Sequence, residues 1–137
     1  MAYEQSGSSK VDISFKAAAD LRTHQYKFVK LDGSGNVVLC SAAGERPLGV
    51  LQNKPNTGEN AVVRVLGLTK AIASAAITTP NQIATDASGL VKVASRLVQA
   101  SGNASNVAGL AVRAAGGASE VMTIYVTPGG IWPTADA

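Results

Sequence analysis

The chain of 137 residues has one cysteine, one histidine, one tryptophan and an aromatic share of 4%. Each shortage excludes something. A lone Cys40 cannot form an intrachain disulfide, and this fits a reducing compartment. His24 and Cys40 together fall short of the ligand set of a zinc site. No run of apolar residues reaches the length of a membrane-spanning helix; Ala71 to Ile77 is short and contains Ser74. Residues 1–10 are polar, unlike a signal peptide. Charged residues make up only 15% of the chain, and the formal net charge is +3. Lys10, Lys16, Arg22, Lys27 and Lys30 are interrupted by Asp12 and Asp20, which reads as a solvated strand face rather than a nucleic-acid groove.

What is present is apolar: 46% of the residues, carried by Ala and Val more than by large side chains. That is enough for one compact domain, or two very small tightly packed subdomains, with a thin core whose burial association between chains would complete.

The informative feature is internal similarity. Phe28 to Leu39 reads against Gln82 to Val93, with Asp32, Ser34 and Gly35 matching Asp86, Ser88 and Gly89 at an offset of 86 − 32 = 54. Leu48 to Leu51 reads against Ala108 to Ala111 at 109 − 49 = 60, the extra six residues falling between Arg96 and Asn106. Gly58 to Val65 reads against Gly117 to Ile124 at 117 − 58 = 59. Asp-x-Ser-Gly between apolar alternating runs predicts a hairpin turn: the Asp side chain bonds the backbone ahead, and the Gly takes positive φ. The predicted fold class is all-β, a small barrel or sandwich built from two degenerate repeats of strand-turn-strand units. Residues 1–10 form a flexible N-terminal arm and residues 11–127 the β-rich domain. Repeat one runs over about 11–66 and repeat two over about 67–127, and residues 128–137 form a surface tail. The structural turns are placed at Asp32, Gly35, Asp86, Gly89, Gly58 and Gly117. Ala17 to Thr23 is expected to form a helical turn. Leu68 to Ile77, bounded by Gly67 and Pro80, leaves strand or helix open.

No catalytic constellation emerges. Asp32 and Asp86 are the tempting carboxylate pair, but their equivalence in the repeat favours duplicated turn chemistry. Asp32-Gly33-Ser34-Gly35-Asn36 lacks the oxygen ligands and terminal Glu of a calcium loop. Gly33-Ser34-Gly35 lacks the third glycine and the following helix of a dinucleotide fingerprint. Cys40, beside an alternating run, reads as a buried structural thiol. The expectation is therefore no enzyme, no cofactor and no metal.

The run from Tyr26 to Gly67 resembles the small capsid decoration (cement) proteins of tailed bacteriophages. The resemblance rests on the Asp32 turn before a Val-rich strand, Pro47-Leu48-Gly49-Val50, and the Gly58-Glu59 turn, with Asn81 to Ala94 and Tyr125 to Gly130 continuing it. It implies a structural virion protein, made in the host cytoplasm, that binds the outer surface of the phage head. There it would stabilise the capsid by bridging subunits of the major capsid protein. It also implies a homo-oligomer, a trimer being favoured, and neither nucleic acid nor membrane as partner. Tyr3 and Lys10 in the arm, and Ile131 and Trp132 in the tail, are the expected capsid or intersubunit contacts. The alternative is a carbohydrate- or host-surface-binding head fibre module, for which one Trp and three Tyr are little material. A small hydrolase of β-barrel type comes third.

Overall fold

A computed structural model describes residues 10–94 and 106–127. Nine strands account for its regular structure: β1 Val11–Lys16, β2 Phe28–Leu31, β3 Val37–Leu39, β4 Gly49–Leu51, β5 Asn60–Ile72, β6 Gln82–Thr85, β7 Val91–Val93, β8 Gly109–Ala111 and β9 Val121–Val126. Among the described residues there is no helix. The fold is all-β. Ala17 to Thr23, expected as a helical turn, is not helical: Ala17 bridges Val37, the Leu21 N–H reaches the Pro55 carbonyl, and a single turn closes at the far end, where the His24 N–H meets the Leu21 carbonyl at 3.0 Å. A helical turn would sacrifice both pairings.

All the strands belong to one curled antiparallel sheet in the order β3-β2-β4-β5-β9-β8-β6-β7, with β1 on β5. β5 is the hinge of this arrangement. Its Asn60–Leu66 half pairs with β4 and β1, and its Gly67–Ile72 half pairs with β9. Gly67 therefore does not end a strand as expected; the strand passes through it. Leu68 to Ile72 is settled as strand for the same reason, because β9 offers a ladder partner to every residue of that half.

The pairing register reveals the duplication directly. Val29–Leu39, Lys30–Val38 and Leu31–Val37 recur as Ile83–Val93, Ala84–Lys92 and Thr85–Val91, an offset of 83 − 29 = 54. Lys16–Asn60 and Phe15–Ala61 recur as Ile72–Val121 and Ala71–Met122. In each unit the sheet curls until its edges meet at one parallel bridge, Ala17 with Val37 and Ala73 with Val91. The offset of the closing strand differs from the sequence reading. Leu51–Val63 is matched by Ala111–Ile124, so the strands align at 124 − 63 = 61 rather than 59. A slip of two residues preserves which face is apolar, so alternation alone could not detect it.

Each unit has its own interior. The first holds Leu21, Val29, Val37, Leu51, Ala61 and Val63, with Phe15 partly buried against them. Sizes are exchanged between the copies: Phe15 faces Ala61 in one, and Ala71 faces Met122 in the other. The sum across the strand pair is kept while the large side chain changes sides, as dense packing requires. The second interior is larger because it also takes Phe28, Cys40 and Val50 from the outer face of the first unit. The two units are thus locked into one body by an apolar strip. Hydrogen bonds from Phe28 N–H to the Gly89 carbonyl (2.7 Å) and from Gly44 N–H to the Thr85 carbonyl (2.8 Å) add to it.

Candidate functional site

The two predicted hairpin turns have the same geometry. The Asp32 carboxylate accepts the Ser34 and Asn36 N–H groups at 2.8 and 2.9 Å, and Asp86 accepts those of Ser88 and Leu90 at 2.8 Å each. Gly35 and Gly89 take φ of 82° and 79°. Both carboxylates are occupied in holding backbone, which is the duplicated turn chemistry expected of them. Their settings differ. A methyl group on Gly35 would meet nothing within 4 Å, whereas one on Gly89 would lie 2.7 Å from Leu39 Cδ1 and 2.9 Å from the Phe28 carbonyl oxygen. One turn is free; the other is wedged against the first unit.

The turns before the closing strands also correspond, with a change of residue. Gly58 has φ 82°, and the residue in its place is Ser119, φ 70°, not Gly117. Gly117 begins that turn, its carbonyl accepting the Glu120 N–H at 3.4 Å. The glycine letter misled the alignment because Ser119 adopts the left-handed conformation without being Gly.

Other polar groups are similarly committed. Burial works to raise the Glu45 carboxyl, but the Lys30 ammonium at 2.9 Å and the Ser41 and Ala42 N–H groups outweigh it and hold it below the usual carboxylate range. The Asp12 carboxyl is lowered by hydrogen bonding to Arg64, which it meets at 2.8 Å. Cys40 is fully buried, and burial together with the Glu45 charge pushes its thiol up to about 12. His24, half-buried, is lowered first by burial and then by the Lys27 charge. Among the described residues no group of three or more His, Cys, Asp or Glu could hold a metal ion. No buried side-chain nitrogen or oxygen among them lacks a partner.

A cavity of about 290 Å³ lies where the units meet, walled by Ile13, Leu48, Val65, Val107 and Val126, with Arg46 at its side. Its walls are mostly apolar and carry few of the convergent polar groups that orient a small ligand. Lys10, an expected contact, is exposed immediately before β1. Tyr3, Ile131 and Trp132 lie outside the described residues.

No protein-family model matches the chain, and no curated protein matches it. A solved structure does. The fold is similar to that of the head fibre gp8.5 N base in bacteriophage phi29, with a TM-score of 0.63 and 18% identity, over 88% of this chain and 97% of that one. At this identity the likeness establishes the fold.

The sequence reading missed the outer face of the second unit. Leu68, Leu110, Val121 and Tyr125 are all exposed there. Part of the signal was available: in β9 Met122, Ile124 and Val126 face inward, and of the outward residues Val121, Thr123 and Tyr125 only Thr123 is a small polar one. A strand with one face in water would normally alternate with polar residues.

Proposed function

We propose that this chain is a structural protein of a phage virion that binds the outer surface of the head and stabilises the shell by bridging subunits of the major capsid protein. The observation that carries this reading is the shared fold with a phage head fibre base along nearly the whole of both chains. The fate of the polar groups supports it: Asp32, Asp86 and Glu45, the carboxylates a reaction would draw on, are spent on turns and loops. The chain does no bond-making chemistry in this reading and needs no cofactor. It is made in the host cytoplasm and functions on the virion.

The same fold likeness favours a second reading, in which the chain is the base of a head fibre and carries a receptor- or carbohydrate-binding part outward. The two differ in what the chain does to the shell. Purified protein is added to heads that lack it, and the heads are pelleted and then heated. A bridging protein binds in fixed stoichiometry and raises the temperature at which the heads release DNA. A fibre base binds without raising it. Protein that stays in the supernatant contradicts both readings.

A further inference from the structure

The closing strand β9 delivers the chain to the cavity between the units. Val126 and Thr127 are two of its walls, and the Thr127 N–H is held by the Ala108 carbonyl at 3.1 Å. The point at which the chain leaves the sheet is therefore fixed at the cavity's edge. The walls come in equivalent pairs from the two units, Leu48 with Ala108 and Val65 with Val126. The exchange of Leu48 for Ala108 leaves less side chain on the second unit's side. Ile13, another wall, is a large apolar side chain left 41% exposed. At about 290 Å³ the cavity is just under the size of small-molecule sites, about 300–1,000 Å³, and suits one or two side chains. Arg46 stands exposed at its side, and its guanidinium has no ion pair among the described residues.

We propose that this cavity is the docking site for the chain's own residues 128–137, with the Trp132 indole as its occupant and Asp136 as the counter-charge of Arg46. These residues follow directly on Thr127, outside the described residues. Thr127-Pro128-Gly129-Gly130 carries Pro and Gly at the two central positions of a type II turn, which would reverse the chain over the walls it has just left. Trp132 stands 132 − 127 = 5 residues past Thr127, a reach of at most about 18 Å. It is the largest apolar side chain of the segment, with Ile131 beside it. Burying it against Ile13 and Val65 removes apolar surface from water on both sides, and Thr127 offers a hydroxyl to the indole N–H. Asp136 is the segment's one charged side chain, opposite in sign to Arg46. A small ligand would want more convergent polar groups than these walls provide. Trp132, expected as a capsid or intersubunit contact, is in this arrangement occupied within the chain, where it closes the seam between the units. The inference does not depend on head binding.

The chain has one tryptophan, so its fluorescence reports on Trp132 alone when tyrosine is left unexcited. The full chain is examined as wild type, as Ile13→Asp and as Arg46→Glu, with far-ultraviolet circular dichroism as the check on folding. The wild type is expected to show blue-shifted emission and weak quenching by acrylamide, both unchanged on dilution from micromolar to nanomolar concentration. Ile13→Asp places a charge in the apolar wall at an exposed position. It should shift emission to the red and raise acrylamide quenching toward that of free tryptophan. Arg46→Glu, on a side chain already in solvent, sets like charge against Asp136. It should move emission in the same direction by a smaller amount, and it decides the matter if Ile13→Asp does not fold. Wild-type emission equal to that of free tryptophan overturns the proposal. So does Ile13→Asp, or Arg46→Glu in its place, that folds and leaves emission unchanged, since Trp132 would then be buried elsewhere. A red shift on dilution also overturns it, because a second copy would then be holding the indole. Every readout is taken without heads, so the head-binding reading stands or falls separately.

Discussion

At the scale of single residues, the fold depends on a few positions where only one side chain fits. A methyl group on Gly49 would run into the Arg64 carbonyl oxygen, and one on Gly109 into that of Tyr125. These are equivalent contacts in the two units, and backbone cannot yield as a flexible side chain can. Gly109→Ala should therefore cost about 3 kcal/mol or more in urea unfolding, at or above the upper end of overpacking. Gly33→Ala, which meets nothing within 4 Å, is the control and should stay within about 1 kcal/mol. Glu45 makes the fold sensitive to acid. Its folded-state value lies below the ordinary 4.5, so its contribution is complete above that value and is lost as pH falls through the folded-state value. Glu45→Gln should flatten the stability curve below pH 4.5 and cost about 1–2 kcal/mol at neutral pH, the worth of a charge-assisted hydrogen bond. Cys40, with its thiol pushed up to about 12, is protonated at neutral pH. Labelling by a thiol reagent should follow global unfolding, so its rate should rise with denaturant; fast labelling of the native protein would contradict the burial.

At the scale of elements, the duplicated hairpins were legible because their information is local. Asp-x-Ser-Gly needs no distant partner to bend the chain, and both copies appear with the same hydrogen bonds. The continuous β5 was less legible. Gly67 reads as punctuation, yet the ladders on either side of it extend the strand to Ile72, and those partners lie far away in sequence. The same holds for Ala17 to Thr23, where pairing to Val37 and Pro55 overrides a local tendency toward helix. The closing-strand offset could not be read from alternation, and the positive φ at Ser119 hid the true counterpart of Gly58. The two hairpin turns also make a matched experiment. Gly35→Ala carries the penalty of a left-handed non-glycine residue, about 1–2 kcal/mol. Gly89→Ala carries that penalty plus the collision with Leu39 and the Phe28 carbonyl. Chemical denaturation should rank Gly89→Ala as the costlier change by at least about 1 kcal/mol; equal costs would mean that the second turn is not wedged between the units.

At the scale of the whole molecule, the two curled halves of one sheet share strand β5 and one apolar strip. The first unit's outer face is half covered by the second, and the second unit's outer face is left apolar at Leu68, Leu110 and Tyr125. This surface was legible only in part, through the outward Val121 and Tyr125 of β9. An outward-facing leucine and an inward-facing one look alike until the register assigns a face. Of the site, what was legible is that the Asp32 and Asp86 carboxylates hold turns. The proposed place on a virion rests on resemblance and fold. The most direct measurement is electron cryo-microscopy of heads lacking this protein, imaged before and after its addition. The account predicts new two-lobed density at regular sites on the outer surface, touching more than one major capsid subunit at each. Heads that remain bare, or density confined to a site away from the shell, would contradict it.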